Sequence, residues 1–479
     1  MRGGDLLAIL PLLWVAAAAV LLLPLGAFRR SGRLALGVAM VGLVGGAASL
    51  LPATSVAPRT VTPLLTVDGF ALFFQGLFLV AGAVVAVLIR DHLERRGVDR
   101  VEEVLVLLLL AVVGAQALVA ARHFAAFFLG LEILSVSLYG MVAYLRRDVS
   151  VEAGIKYLVL AGASSAFLLF GIALLYGQAG TLSLPGLAGT FLAREPGVVV
   201  PAGLALLLVG IGFKLALVPF HLWTPDVYQG APAPVTAFLA TVSKGAVLAF
   251  LLRLALDLPT LSGTVLWTAL AGLAGASMVV GNVLALLQRN VKRILAYSSI
   301  GHVGYLMIPV LAGGRDAFGA TAFYLTAYFA TILAAFGVVG MAGEGGGEAG
   351  ELDELRGLWW RRPGPALVLS VALFSLAGIP LTAGFVGKFY LLAAGVGRDL
   401  WTLAFVLAVT SVIGLFYYLR IMATLFGEEP ERGRVPGRAA WSTAFVLAFL
   451  LLAVIGMGVW PGPLLHLLQE GMGSFALIR

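Results

Sequence analysis

Cysteine is absent from all 479 residues, and only 11% of them are Asp, Glu, Lys or Arg. The first absence excludes disulfides, cysteine zinc sites and thiolate-ligated iron–sulfur clusters in this chain. The second excludes an ordinary soluble domain, where charged residues make up about 25% and apolar ones about 45–50%; here 61% are hydrophobic. Histidine is also scarce. His92, His123, His221, His302 and His466 fall in separate segments without paired spacing, so neither haem nor a metal centre is expected. The net charge of +7 would suggest nucleic acid in a soluble protein. Because the basic residues sit in short loops they read as topology signals instead, and no nucleic-acid partner is expected.

What the chain has is long apolar runs. Fourteen of them, at about 6–26, 34–52, 69–89, 103–121, 124–145, 155–178, 199–220, 233–256, 264–287, 293–312, 317–342, 365–396, 399–426 and 440–460, approach the length that crosses a bilayer. They are continuous rather than alternating, which predicts an all-α integral membrane protein and not a β-barrel. The first run is too long for a signal-peptide core and lacks an A-x-A site, so it is expected to stay as a span. Residues 461–479 read as a tail with a candidate surface helix. Gly343–Pro365, glycine-rich and then "RGLWWRRPGP", reads as a loop with interfacial tryptophans. Loops after odd-numbered spans carry eighteen Lys or Arg, including Arg29, Lys292, Arg432, Arg434 and Arg438. The opposite face carries eight: Arg2, Arg59, Arg122, Arg194, Arg253, Arg315, Arg398 and Arg479. The positive-inside rule then places the first set in the cytoplasm and both termini outside a bacterial inner membrane.

Two spans are interrupted. "VPFHLWTPDVYQGAPAP" follows span seven and "LAGIPLTAGFVGK" cuts span twelve. Proline removes a helix hydrogen bond, and in lipid the freed carbonyls must find protein or water. Pro219 and Pro380 lie 161 residues apart. That spacing fits two five-helix repeats, spans four to eight and nine to thirteen, each broken in its fourth helix. An odd number of helices inverts the second repeat relative to the first. The expected organisation is a three-helix segment (1–102), the two repeats (103–256 and 257–426), and a final span with tail (427–479).

Apart from Lys292, every lysine (Lys156, Lys214, Lys244 and Lys388) falls within a span, whereas arginine serves the loops. Arginine stays charged; a buried lysine can lose its proton. Glu132 is the one acid deep in a span, and Ser135 and Tyr139 share its helical face. Ser298, His302 and Tyr305, and then Tyr324, Tyr328 and Thr331, form two further polar stripes. These either line a hydrated path or make interhelical hydrogen bonds. Each mid-membrane charge costs about 2.5–3.5 kcal/mol on insertion scales, a cost leucine would avoid, so Glu132, Lys214, Lys244 and Lys388 read as an ion path. Lys388, eight residues beyond Pro380, is expected nearer the external side. His221 and His302 can bridge gaps, since imidazole exchanges protons near neutral pH; His302 also reads as a hydrogen-bonded core residue. Lys156 and Arg420 lie near span ends and can snorkel.

The phrase "FKLALVPFHLWTPDVYQGAPAPVTAFLATVSK", with "LLQRNVKRILAYSSIGHVGY" and "GIPLTAGFVGKFY", resembles the antiporter-like membrane subunits of proton-pumping NADH–quinone oxidoreductase, respiratory complex I. The resemblance covers nearly the whole chain, and Thr224–Gly230 with Ser243-Lys244 follow the N-type (mitochondrial subunit-2 type) pattern rather than the L or M type. It implies that Glu132 and Lys214 form the ion pair of a first half-channel, that Lys244 is the central relay, and that Lys388 stands towards the exit. His221, His302, Lys156 and Glu152 would serve water-linked steps. M-type relatives carry a glutamate where Lys388 stands. The implied function is proton translocation from cytoplasm to outside, without a cofactor in this chain. Flavin, iron–sulfur clusters and quinone would belong to other subunits, and the partners would be neighbouring membrane subunits and the lipid bilayer. A subunit of an Mrp-type cation/proton antiporter and a structural anchor with vestigial charges are the alternative readings.

Overall fold

The computed structural model describes residues 3–28, 30–98, 100–193, 197–258, 264–343, 347–428 and 440–475. Arg2, Arg29, Arg194, Arg432, Arg434, Arg438 and Arg479 of the orientation tally lie outside the described residues, as does the side chain of Arg315. Among those described, twelve helices are long and apolar enough to cross a membrane: α1 (Leu10–Phe28), α2 (Gly32–Thr54), α3 (Gly69–Arg95), α4 (Val101–Ala120), α5 (Phe124–Ala143), α6 (Asp148–Ala179), α8 (Ala233–Asp257), α9 (Val265–Leu286), α10 (Val291–Ala312), α11 (Asp316–Ala342), α13 (Trp401–Leu425) and α14 (Trp441–Val459). Expected span twelve is built from two shorter pieces, and expected span seven (199–220) ends early and is followed, beyond its bound, by a second short helix. These helices are α7a (Val199–Leu215) with α7b (Trp223–Gly230), and α12a (Pro363–Ala377) with α12b (Ala383–Val396). The tail forms α15 (Gly462–Phe475).

Burial sorts the helices into centre and rim. The apolar window of α8 is 100% buried and those of α10 and α11 are 94% buried, whereas those of α1 and α14 are 28% buried. The relay candidates therefore have an interior to occupy. Neighbouring helices approach through glycine: a Cβ on Gly114 of α4 would lie 2.6 Å from the Gly130 carbonyl of α5, and one on Gly281 of α9 2.6 Å from the Gly301 nitrogen of α10. Small residues let backbones meet where hydrophobic burial gives no drive between helices. These two pairs occupy the same place in the two expected repeats.

The breaks match in detail. α7a ends at Ala216 in the left-handed region (φ 59°), and α12a ends at Gly378 (φ 84°). The following amides, of Leu217 and Ile379, reach back to the carbonyls of Gly212 and Phe374 at 2.8 and 3.0 Å. This is one C-cap motif used twice, at positions 162 residues apart. Ala216 holds it at a cost of about 1–2 kcal/mol that Gly378 avoids.

Several expectations need correction. A short antiparallel hairpin, β1 (Arg59–Thr62) with β2 (Leu65–Val67), joins α2 to α3, because the β-branched stretch there has no apolar run to continue. The Gly343–Pro365 loop contains a 3-10 turn at Leu352–Leu355 and a helical turn at Leu358–Arg361. α6 begins at Asp148, seven residues before the expected start. Lys292 and Arg253 are not solvated topology charges: both are buried at helix ends, turned inwards onto carboxylates.

Arg253 and Asp68 are each fully buried and joined by two bonds of 2.8 and 2.9 Å. Asp68 also caps α3 by accepting the Ala71 amide at 2.9 Å. Beside them Arg122 pairs with Asp257 at 2.9 Å. Removing one partner strands a buried charge, which costs about 3–5 kcal/mol, while removing both is far milder. Asp68→Ala is therefore expected to reduce the amount of folded chain in membranes sharply, and Asp68→Asn combined with Arg253→Met to restore most of it. Thermal melting of the detergent-extracted proteins measures this; equal loss in the single and double variants would show the pair is not the cause.

Candidate functional site

The three deep lysines share one environment. Lys214, on the last turn of α7a, donates to Ser135 Oγ of α5 at 2.6 Å. Lys244, on α8, donates to Ser299 Oγ of α10 at 2.5 Å. Lys388, on α12b, donates to Ser411 Oγ of α13 at 2.6 Å. Each amine also lies over a tyrosine ring, Tyr139, Tyr228 and Tyr305 respectively, at 6.0, 5.4 and 5.6 Å from the centroid. Such a ring attracts a cation by its quadrupole without supplying a counter-charge. None of the three makes an ion pair among the described residues. Lys156 and Lys292 do, to Glu152 and Asp226 and to Glu348 respectively.

The expected Glu132–Lys214 pair is not made directly. Glu132 Oε1 instead accepts from Ser165 of α6 at 2.7 Å, while Ser135, one turn along α5, takes the lysine. Glu132 and Ser135 thus take separate partners, Ser165 and Lys214. Lys388 is set by its contacts to the second break. Its amine folds back to the break, donating to the carbonyls of Leu376 and Ala377 at 2.8 and 3.0 Å. Those are carbonyls that the end of α12a leaves without helical partners, and with Ser411 they satisfy all three ammonium donors.

Just before Lys244, α8 carries a π-helical turn, Leu239–Ser243. Such turns put an extra residue into a helix and occur often at functional sites. From Ser299 the polar stripe of α10 continues through Ser298 and His302 to Tyr305. His302 meets Tyr324 Oη through Nδ1 at 2.5 Å and Tyr418 Oη through Nε2 at 3.0 Å, and Tyr418 is hydrogen-bonded to Ser298. Tyr305 joins Asn282 and Thr410 at 3.0 and 3.2 Å. α10 therefore connects the Lys244 amine to the ring under Lys388. Towards Lys214 the connection is aromatic: Tyr139 packs edge-on against Tyr157, and Tyr157 stacks on Trp223.

His221 lies in the gap between α7a and α7b and is buried with its Nδ1 unpartnered. Lys156 is not part of the buried line. It is 42% exposed, in a cluster with Glu152 and Asp226, and Asp226 also binds Arg293 at 2.7 Å. Arg420 donates to the carbonyls of Leu286 and Gln288, closing the end of α9.

Sequence reasoning missed Ser299, Ser411, Ser165 and Tyr418, whose residue types carry no charge signal. It also missed Glu348, placed in a glycine-rich loop. Its carboxylate accepts the Ala233 amide at the start of α8 at 2.7 Å and binds Lys292 at 2.7 Å, with His92 Nε2 at 3.1 Å. Burial alone would raise its pKa, but Lys292 and His92 outweigh that and hold the carboxyl well below the usual range. One signal was available: a glutamate amid glycines facing an isolated lysine across a loop.

Residues 121–414 match the family described as NADH:quinone oxidoreductase/Mrp antiporter, TM. NADH-quinone oxidoreductase subunit N of Ectopseudomonas mendocina is 46% identical over 97% of this chain and 96% of that protein. Its counterpart of the same name in Methylococcus capsulatus is 48% identical, covering 97% of this chain and 95% of the relative. Among solved structures, a chain of respiratory complex I from Thermus thermophilus with bound aureothin superposes with a TM-score of 0.81 at 35% identity, covering 95% of this chain and 98% of that one. With the interrupted helices and buried lysines in place, this multi-pass membrane chain belongs to the NADH:quinone oxidoreductase/Mrp antiporter family, in its NADH-quinone oxidoreductase subunit N branch.

Proposed function

We propose that this chain moves protons across the membrane as a non-redox subunit of an NADH–quinone oxidoreductase, along the line Lys214, Lys244, Lys388. The observation that carries the reading is the lysine–serine contact made three times without a carboxylate. A hydroxyl can accept from an ammonium and donate to a neutral amine. Each site therefore stays hydrogen-bonded in both protonation states, which a fixed carboxylate partner would oppose by holding the charge. His302 with Tyr324 and Tyr418 relays between Lys244 and Lys388, and His221 serves the first break, with water completing the longer steps. Glu132 acts on Lys214 through space. Bringing it closer favours the ammonium and withdrawing it favours release. Lys156 belongs to the rim cluster with Asp226, at the entrance to the path.

The finer assignments are part of the same reading. Residues 103–256 and 257–426 are the two inverted repeats, supported by the matched caps at Ala216 and Gly378. The arginine-rich loops face the cytoplasm of a bacterial inner membrane and both termini face outside. Flavin, iron–sulfur clusters and quinone reside in partner subunits, and energy released there shifts Glu132 against Lys214. Driving one proton against 100 mV requires about 2.3 kcal/mol, which sets the least change in interaction energy the switch must deliver.

Three outcomes are expected. Lys214→Arg assembles at the normal level but loses quinone-linked proton uptake by inverted vesicles, because arginine does not release its proton; unchanged uptake would refute the assignment. Lys244→Met lowers proton transport about 10²-fold, the lower range for loss of an acid–base group. A structural anchor would show no change there. Tyr418→Phe removes the hydroxyl between Ser298 and His302, and proton transport falls several-fold with assembly intact. Co-purification separates the remaining reading: flavin and iron–sulfur subunits accompany the chain, whereas sodium flux with antiporter partners alone would establish an Mrp-type role.

A further inference from the structure

Two glutamines lie fully inside the helix bundle, and the relay does not use them. Gln75 of α3 is 2% exposed and Gln116 of α4 is 0% exposed. Gln75 Nε2 donates to the Gln116 carbonyl at 3.4 Å, so the two residues are neighbours. Their other amide atoms, Gln75 Oε1 with Oε1 and Nε2 of Gln116, are buried and have no hydrogen-bond partner. Towards the end of α8 the same holds for Arg253 Nε and Arg122 Nε, the guanidinium atoms that the pairs with Asp68 and Asp257 leave over.

Depth puts these atoms in order. Asp68 caps α3, and Gln75 stands seven residues on, about 10 Å into the helix. One turn deeper, Phe78 meets α8 beside Lys244: a Cβ on Gly245 would lie 3.6 Å from the Phe78 ring. α8 packs along α4, and its π-helical turn touches both α3 and α4. The glutamines therefore occupy the depth between Lys244 and the Asp68–Arg253 pair. At the far end Arg122 and Asp257 are 12% and 13% exposed, so the series reaches the face opposite the arginine-rich loops.

A buried amide without a partner is costly, and leucine at either position would avoid the cost. Water both donates and accepts, as this mixed set requires, and an interior water takes two to four such partners. We infer that Gln75 and Gln116 hold water between Lys244 and the Asp68–Arg253 pair, giving the relay a second outlet that bypasses Lys388. This outlet rests on the proton-carrying role proposed above for Lys244. A proton leaving the Lys244 ammonium binds the first water, that water passes one of its own onward, and the amine is left neutral. The glutamines do not titrate and act as positioning residues. The outer cluster balances two arginines with two aspartates, so it sets no net positive barrier to an outgoing proton.

The test uses inverted vesicles carrying the intact complex and measures proton uptake per quinone reduced, at equal amounts of assembled complex. Lys214→Arg defines the share of uptake that belongs to this chain. Lys388→Met closes the route past His302, and Gln75→Leu with Gln116→Leu closes the water-filled one while keeping apolar packing. Each change lowers that share about twofold and the three substitutions together abolish it, the non-additive pattern of parallel outlets. Lys388→Met falling by itself to the Lys214→Arg level overturns the second outlet. So does a glutamine variant that changes only assembly and leaves uptake per complex as in its parent. Lys214→Arg without effect refutes the proton-carrying role itself, and the outlet with it. Independently of any variant, a high-resolution map of the wild-type complex shows ordered water about 2.7–3.2 Å from Gln75 Oε1 and the Gln116 amide. Glutamines satisfied directly by each other, with no water between them, would also overturn the proposal.

Discussion

A primary amine inside a bilayer must keep a hydrogen-bond partner whether or not it carries a proton, and this constraint organises the protein's interior. Carboxylates satisfy only the charged form well, and carbonyls only accept. Serine hydroxyl meets both states, and Lys214, Lys244 and Lys388 each have one. The rest of the interior follows from keeping these contacts close. Each contact crosses between helices, so each depends on backbones brought near enough for a short side chain to reach. Glycine at Gly114, Gly130, Gly281 and Gly301 provides that approach on α4, α5, α9 and α10, two of which carry serine partners.

The helix breaks belong to the same problem. Ending a helix in mid-membrane exposes carbonyls that must be paired. α7a and α12a end in the same left-handed cap, yet their lysines stand on opposite sides of it. Lys214 precedes its break, and Lys388 follows its own and reaches back. The backbone motif is repeated, but the amine is delivered to it from different helices. Lys388 has three acceptors, whereas Lys214 has Ser135 alone among the hydrogen bonds of the described residues.

Much of this was legible in the sequence because it rests on features with a period or a cost. Apolar runs mark spans, prolines mark breaks, and a lysine amid leucines has no cheaper explanation than use. The face shared by Glu132, Ser135 and Tyr139 follows from helical spacing alone. What stayed hidden depends on tertiary contact. Ser299 and Ser411 look like any helix-packing serine until a lysine is placed beside them. Tyr418 belongs to a helix with no charge deep in its core. Glu348 and Lys292 each read as loop polarity, because neither shows from its own neighbours that the other folds over it. A direct Glu132–Lys214 contact is what charge complementarity alone suggests, whereas in the fold Ser165 takes the carboxylate and Ser135 the amine.

The division between arginine and lysine is clearest within α8. Arg253 and Lys244 are both buried on this one helix, nine residues apart. Arg253 is locked to Asp68 by two bonds in a fixed fork, a geometry that arginine's planar group suits and that offers no proton to exchange. At its other end α8 begins on Glu348, itself held ionised by Lys292 and His92. Both ends are thus tied by ion-paired groups, and between them Lys244 follows directly after the π-helical turn with a serine as its partner. A helix anchored in this way is held at both ends against shifting along its axis. On the proposed relay, these fixed pairs would confine the response to a proton to the side chain that carries it.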